Sequence, residues 1–279
     1  MFNAAPLRVV VASVSSLIFP SFAFAQAAPP PPRAVHASVE PTSAKTWIAN
    51  REAIEAYMKT APIVDMEEIP IGVTRPKRAR LAPGGPVEYI AWKHVPPGRP
   101  AGYWESYRSE IAAYELDKLL GLDMVPPTVE REVDGERGAA VMWCSPVRSF
   151  KQLHGVPQPP PPQADEWNRQ LVRAKMFDNL IGNLDPNLGN WLVDPAWHLM
   201  LIDHTRAFTR EKKLVHKVMN RWDGALWDRV KGLTLDSLAG TLRPWLGEGE
   251  IKAILARRDR MEAAYEKLVA EKGPSVVFR

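Results

Sequence analysis

A polar loop and an acid at the end of an apolar run constrain this 279-residue chain more than any other feature. The loop extends from Asn183 to Asn190 and contains Asp185 between two glycines, so its backbone can bend sharply. Asp203 ends the apolar run 199–202 and therefore lies at a predicted strand end, near buried surface. A carboxylate in such a place needs a cation or hydrogen-bond donors. These side chains predict a site built from one loop and one strand end.

The spacing of these residues favours phosphoryl transfer. Asp185 and Asn190 stand five residues apart, as do the Asp and Asn of a kinase catalytic loop, and Asp203 has the position of the second metal-binding carboxylate. In this interpretation Asp185 acts on the acceptor hydroxyl, while Asp203 and Asn190 bind a metal. Magnesium fits, because proteins usually hold it by one or two carboxylates together with substrate phosphates. The pattern indicates an ATP-dependent phosphotransferase.

Each of these residues also has an ordinary structural explanation. Asp185 could form an Asp-Pro turn in which it bonds its own backbone. Asn190 follows a glycine, where Asn is a common turn residue. Asp203 could cap a helix or pair with Arg206. The three residues together favour the catalytic interpretation over these alternatives.

A lysine and a glutamate are the candidates for holding the nucleotide phosphates. Lys93 lies in an apolar predicted strand, and Glu110 falls within the apolar stripe of a predicted helix at 107–120. A carboxylate on an apolar helix face needs a partner, and pairing with Lys93 would place an ammonium on the phosphates. Alternatively, strand alternation turns Lys93 to solvent, and Glu110 meets Arg108 or solvent.

A loop that covers the phosphates should precede the lysine strand. The only candidate is 71–77, which matches neither G-x-G-x-x-G nor G-x-x-x-x-G-K-[ST]. Its candidate nucleotide-binding residues are Gly72, Thr74, Arg75 and Lys77, with the basic side chains replacing the missing backbone donors.

Two proline-rich segments mark the predicted boundaries between parts of the chain. Residues 26–45 predict a flexible leader, and 157–163, with four consecutive prolines, predict the boundary between two lobes. The N-terminal lobe (46–156) has predicted strands at 69–73, 87–95, 128–133 and 138–143, and predicted helices at 47–59 and 107–120. The C-terminal lobe (164–279) begins with a predicted helix at 165–181 and a hairpin at 190–202, and is otherwise mainly helical.

Residues 1–25 predict a bacterial-type export signal. Arg8 precedes the apolar stretch 9–24, and Ala23-Phe24-Ala25 has the small-x-small pattern of a cleavage site. The stretch is short and broken for a membrane span, which needs about 18 apolar residues or more. We expect a periplasmic or secreted protein without stable membrane insertion after cleavage. An uncleaved anchor is the alternative.

Composition argues against several other classes of function. The net charge of +4 is too small to indicate a nucleic-acid partner. Cys144 is the only cysteine, so no intramolecular disulfide can form, and it is better explained as a small buried hydrophobe than as a nucleophile. The six histidines are scattered without the spacing of zinc ligands.

Three blocks resemble the secretory-pathway atypical kinases, which include the Golgi casein kinase and four-jointed proteins. The blocks are S-E-I-A-A-Y-E-L-D-K-L-L-G at 109–121 with V-P-P-T-V at 125–129, I-G-N-L-D at 181–185, and L-I-D-H-T-R-A-F at 201–208. The D-x-x-x-x-N arrangement is also similar to HipA-type and phosphoinositide kinases.

The resemblance implies an α+β, two-lobed protein-kinase-like fold, with a small β-rich N-lobe that carries one long helix and a mainly helical C-lobe. It implies ATP with Mg²⁺ or Mn²⁺, and phosphorylation of an exported protein or a saccharide. Lys93 and Glu110 would hold the phosphates. Residues 140–146 would form the hinge, with Met142, Trp143 and Cys144 against the adenine.

The chain also departs from the family pattern. Asp185 is followed by Pro186-Asn187, where the family often has Arg-His, and Asp203 is followed by His204-Thr205, where the family often has Asn-Gly. These departures leave two alternatives to an active kinase. One is a catalytically weak pseudokinase that binds a nucleotide or a partner, and the other is a pure scaffold.

Overall fold

The structure is a computed structural model that describes Met1 and residues 42–70, 76–99 and 102–278. From residue 42 onward, the described residues form one compact unit. The predicted signal peptide, the leader up to residue 41, and the candidate phosphate-loop residues Gly72, Thr74 and Arg75 lie outside the described residues.

The described part of the chain alternates strands and helices. The helices are α1 Arg51–Thr60, α2 Tyr107–Leu120, α3 Ala164–Ile181, α4 Gly224–Lys231, α5 Leu235–Leu242 and α6 Glu248–Lys272. The strands are β1 Ile63–Glu68, β2 Lys77–Leu81, β3 Tyr89–Lys93, β4 Thr128–Val133, β5 Glu136–Met142, β6 Arg148–Ser149, β7 Trp191–Val193, β8 Leu199–Leu201, β9 Trp222–Asp223 and β10 Val277–Phe278. None of these helices combines the length and the apolar character needed to span a bilayer.

The first five strands form an antiparallel sheet in the order β1-β2-β3-β5-β4. Successive strand residues face opposite sides, and different helices cover the two faces. Ile90 of β3 packs in a cluster with α1, whereas its neighbour Ala91 packs with Tyr107 and Ile111 of α2. Lys93, two residues after Ala91, therefore lies on the α2 face.

Helix α2 has the bounds that the sequence predicts, because both of its ends have strong signals. The Ser106 side chain accepts a hydrogen bond from the backbone N–H of Arg108, which caps the first turn. Gly121 ends the helix in the left-handed conformation, with φ 54°. At its C-terminal end, the buried Asp117 accepts hydrogen bonds from two backbone N–H groups of the following loop.

The helical part is built around α3 and α6. A core of aromatic side chains includes Trp222 and Trp227, whose ring centroids are 5.1 Å apart. The fully buried guanidinium of Arg257 on α6 donates to the carbonyl oxygens of Leu180, Thr209 and Glu211. It thereby joins the end of α3 to the segment that follows Asp203.

One predicted N-terminal strand lies elsewhere in the structure, and another strand was not predicted. Ile69 and Pro70 lie outside the strands, and the chain instead pairs earlier, as β1. Strand β2 was missed because its charged residues conceal an alternation in which Ala79 and Leu81 are buried. Helix α1 begins at Arg51 rather than at residue 47.

The small sheet β6-β7-β8 joins chain segments on both sides of the proline-rich stretch. Strand β6 pairs with β7, although residues 157–163 separate them in the sequence. The lobe boundary at 157–163 stays a prediction.

Candidate active site

Three elements bring Lys93, Glu110 and Asp203 into contact. Lys93 ends β3, Glu110 lies in the first turn of α2, and Asp203 follows β8. The ammonium Nζ of Lys93 is 2.5 Å from Oε1 of Glu110 and 3.1 Å from Oδ1 of Asp203. The predicted ion pair between Lys93 and Glu110 is therefore present. Asp203 pairs with Lys93 rather than with Arg206.

Burial and charge fix the ionisation of this cluster. The side chains of Lys93 and Glu110 are only 8% and 2% exposed. Burial opposes the charged form of Lys93, but the carboxylates of Asp203 and Glu110 outweigh it and raise the lysine pKa. Burial likewise opposes the Glu110 carboxylate, but Lys93 and a hydrogen bond from His204 lower its pKa. Both groups are charged at neutral pH.

Asp203 adopts an uncommon backbone conformation. Its φ is 63°, in the left-handed region that Asp tolerates better than most residues. The hydroxyl of Thr205 lies 3.3 Å from its Oδ1, and its side chain is 35% exposed. Because the side chain of Glu110 is only 2% exposed, Asp203 is the acidic member of the cluster that a ligand in solvent can reach.

Asp185 lies in a loop stabilised by amide side chains. The backbone N–H of Asp185 donates to Oδ1 of Asn183 at 3.1 Å, and Nδ2 of Asn187 donates to its carboxylate at 3.0 Å. Nδ2 of Asn190 donates to its backbone oxygen at 3.1 Å. The side chain of Asp185 is 36% exposed, so its carboxylate can be reached from solvent.

Two backbone hydrogen bonds place this loop beside Asp203. The N–H of Ile202 donates to the oxygen of Asn190 at 3.0 Å, and the N–H of Leu184 approaches the oxygen of Arg206 at 3.5 Å. Asp185 and Asn190 therefore lie alongside the segment that carries Asp203. Lys93, Glu110 and Asp203 touch directly, whereas Asp185 is connected to them through that segment.

Sequence reasoning missed the contact of Arg206 with Asp185 and the contact of Glu105 with Arg206. Nη1 of Arg206 is 3.4 Å from Oδ2 of Asp185, while its Nε and Nη2 lie 2.8 and 2.7 Å from Oε1 of Glu105. Glu105 comes immediately before the cap of α2. Arg206 lies within the block 201–208 on which the kinase resemblance rests. This position is the sequence feature that could have identified Arg206 as part of the site.

The position of Lys77, a candidate nucleotide-binding residue, differs from expectation. Lys77 is opposite Trp92 in the β2–β3 pairing, and its ammonium lies 5.8 Å from the Trp92 ring centroid. Paired residues share a face, so Lys77 is on the face opposite to Lys93. Arg78 pairs with Ala91 and Arg80 with Tyr89, so these two basic residues of β2 are on the Lys93 face.

The predicted hinge, residues 140–146, comprises the last three residues of β5 and the segment that follows it. Met142 and Cys144 are buried, and the N–H of Trp143 donates to the backbone oxygen of Tyr89 at 3.0 Å. The guanidinium of Arg78 lies 5.5 Å from the centroid of the Trp143 ring. Burial raises the pKa of the Cys144 thiol to about 12, as expected for a small buried hydrophobe.

Asp203 and Asn190 suit a hard divalent cation. Asp203 provides a partly exposed carboxylate, and the backbone engages Nδ2 of Asn190, so the amide oxygen is its available ligand atom. Within the described ranges, no three His, Cys, Asp or Glu side chains form a complete metal cage. Two oxygen ligands completed by phosphates and water agree with the way that proteins hold magnesium.

Solved structures share the fold of this chain. Neither a family model nor a curated protein sequence matches it. A structure of hydra Fam20 with sugar has a TM-score of 0.63 and 18% identity, over 81% of this chain and 91% of the other. The Golgi casein kinase with Mn/ADP bound has a TM-score of 0.62 and 14% identity, over 81% and 77%. The expected resemblance is confirmed for the fold: this chain has the α+β kinase-like fold of Fam20 and the Golgi casein kinase.

Proposed function

We propose that this chain transfers the γ-phosphoryl group of ATP to a hydroxyl group of a protein or a saccharide. The observation that carries the proposal is the direct contact of Lys93 with Glu110 and Asp203 beside the loop of Asp185. The kinase-like fold supports it, because this fold places a strand lysine and a helix glutamate at the nucleotide phosphates.

Lys93 has the role of a phosphate ligand in this proposal. Its ammonium stays charged because two carboxylates raise its pKa. Glu110 fixes its position, and the backbone N–H of His204 donates to the second oxygen of Glu110 at 3.0 Å. The ammonium is thus oriented before the nucleotide arrives, which avoids reorganisation when negative charge develops.

Asp203 and Asn190 would hold Mg²⁺ or Mn²⁺. A divalent cation bound there would neutralise charge on the nucleotide phosphates. The solved Golgi casein kinase has Mn/ADP bound, which supports a nucleotide and a divalent metal for this fold.

Asp185 would orient the acceptor hydroxyl and accept its proton. Its carboxylate is partly exposed and receives hydrogen bonds from Asn187 and Arg206. Kinases use a catalytic-loop Asp in this way. The solved hydra Fam20 contains a sugar, which supports a saccharide as one acceptor class.

A pseudokinase is the second candidate, and one feature of the site favours it. The carboxylate of Asp185 is already engaged by Asn187 and Arg206, which compete with an acceptor hydroxyl for its oxygens. A chain of this kind would bind the nucleotide or a partner without efficient transfer.

The purified protein with ATP and either Mg²⁺ or Mn²⁺ distinguishes these functions. A kinase shows a nucleotide-dependent rise in melting temperature and transfer of the γ-phosphoryl group. A pseudokinase shows the rise with little transfer, and a scaffold shows neither. Asp203→Ala is the control, and it should lose the metal-dependent part of the rise.

Export is part of the proposal and rests on the pattern in residues 1–25. The test is the N-terminal sequence of the mature protein from the periplasm or medium of expressing bacteria. We expect it to begin at Gln26. An intact N-terminus in the cytoplasm would contradict export.

A further inference from the structure

We propose that Glu105 and Arg206 are positioning residues that join the acceptor-side carboxylate of Asp185 to the start of α2. The inference rests on the proposed phosphotransfer, because it concerns how the acceptor side of that site is assembled. Neither residue is assigned to contact the nucleotide or the acceptor.

The guanidinium of Arg206 contacts a buried carboxylate on one side and a partly exposed carboxylate on the other. Two of its nitrogens contact Oε1 of Glu105, whose side chain is only 4% exposed. Its third nitrogen reaches Asp185, which is 36% exposed, at 3.4 Å. The ring of Tyr103 lies over the guanidinium, 5.2 Å from centroid to Cζ. Because a buried carboxylate fixes Arg206, the guanidinium can orient the more exposed carboxylate of Asp185.

Hydrogen bonds hold the segments that carry Glu105 and Arg206 in place. Glu105 forms a two-way bridge with Gly98, with N···O distances of 2.9 and 3.0 Å. The N–H of Ser106 donates to the oxygen of Thr205 at 2.9 Å, and the hydroxyl of Ser109 donates to the oxygen of Ala207 at 3.2 Å. The segment 205–207 therefore packs along the first turn of α2.

The first turn of α2 also contacts Lys93, the proposed phosphate ligand. Glu110, one residue after Ser109, contacts Lys93 and the backbone N–H of His204. The start of α2 thus contacts Lys93 through Glu110 and Asp185 through Glu105 and Arg206. A displacement of this turn would disturb both halves together, so the two halves assemble as one unit.

Charge supports the role of Arg206. The hydrogen bond to Glu105 raises the pKa of Arg206, and the charges of Glu105, Asp185 and Asp203 raise it further. Without this cation, those three carboxylates would repel one another across the site. A neutral residue at position 206 would therefore leave Asp185 less well ordered.

Kinetics of Arg206→Ala, Arg206→Lys and Glu105→Gln test the proposal. For Arg206→Ala we expect kcat to fall about 100-fold, the typical effect of a misplaced catalytic group. The KM for ATP should stay within about twofold, because the phosphate ligands are untouched. Arg206→Lys should recover part of kcat. Arg210→Ala is the matched control, because Arg210 is exposed and pairs with Glu250.

A double variant checks that the two residues act as one unit. Glu105→Gln should lower kcat in the same direction as Arg206→Ala, and the combination should be no worse than Arg206→Ala alone. Additive effects, or wild-type kcat in Arg206→Ala, would overturn the proposal.

Amide hydrogen exchange gives a readout that does not need activity. In Arg206→Ala, the backbone amides of Asp185 and Asn187 should exchange about tenfold faster, while the amides in the middle of α2 keep their rates. Unchanged exchange at these two amides would refute the positioning role even if the wild type transfers no phosphate. Absence of transfer and of nucleotide binding in the wild type would refute the proposed function alone. If Arg206→Ala does not fold, Arg206→Lys and Glu105→Gln decide the question.

Discussion

Lys93 and Glu110 form an ion pair with 2.5 Å between Nζ and Oε1, and both side chains are almost completely buried. A buried pair of this kind is a weak source of net stability, but removing one partner leaves the other as an unpaired charge away from water. If Lys93 binds the nucleotide phosphates as proposed, the pair links nucleotide binding to the stability of the fold. Experiments on either residue must separate the two effects.

Lys93→Ala should weaken ATP binding and also destabilise the protein. We expect a loss of about 3–5 kcal/mol in the free energy of unfolding, because Glu110 loses its partner. Isothermal titration and denaturant unfolding measure the two effects. The double variant Lys93→Met with Glu110→Gln should recover most of the stability but not the affinity. Unchanged ATP affinity in Lys93→Ala would remove Lys93 from the site.

Asp185→Ala should preserve the fold and abolish phosphoryl transfer. The carboxylate is partly exposed and its contact with Arg206 is long, so we expect a stability cost of only about 1 kcal/mol. Transfer to the acceptor or to the protein itself, measured with labelled ATP, gives the turnover. Wild-type turnover in this variant would show that Asp185 is not the acceptor-side group.

Asp203→Asn should lose the metal-dependent part of the nucleotide affinity with little effect on folding. Asn tolerates the positive φ of this position as well as Asp does, whereas Ala does not. Asp203→Ala should therefore be less stable than Asp203→Asn, by about 1 kcal/mol. Melting temperatures with ATP, with and without Mn²⁺, separate the loss of charge from the backbone strain. An undiminished Mn²⁺ effect in Asp203→Asn would exclude this carboxylate as a metal ligand.

Asp117→Asn should flatten the pH dependence of stability. Burial raises the pKa of Asp117 to about 6, against the opposing effect of hydrogen bonds from Met124 and Val125, with Asp123 raising it further and Lys45 lowering it. The folded state keeps this proton between about pH 4 and 6, where the unfolded state has lost it. The free energy of unfolding therefore falls as pH rises through this window, by roughly 3 kcal/mol.

The Asn side chain keeps the acceptor oxygen used by the two backbone N–H groups and does not ionise. Denaturant unfolding at pH 4 and at pH 7 measures the difference for both proteins. An equal pH dependence in the wild type and the variant would rule out Asp117 as its source.

Local signals explain which parts of the fold were predictable. Helix α2 has a capping serine and a terminating glycine, so its bounds follow from the sequence. The pairing of Glu110 followed from a carboxylate on an apolar stripe, which has to find a cation. Both inferences depend on patterns within a few helical turns.

The missed features depend on contacts between distant segments. The side of the sheet that Lys77 occupies depends on the register of β2 against β3, which the basic residues of β2 do not reveal. The bridge from Glu105 through Arg206 to Asp185 joins residues up to 101 positions apart. The packing of the segment 205–207 against α2 and the backbone contact of Leu184 with Arg206 bring them together.

The buried guanidinium of Arg257 makes two segments next to the candidate site dependent on helix α6. Arg257 itself contributes no atom to the chemistry, yet it holds the carbonyl groups on which α3 ends and those that follow Asp203. A C-terminal truncation before this position would release both segments at once. Proteins truncated in this way should therefore be inactive, because these two segments are no longer held in place. They would still contain every proposed catalytic side chain.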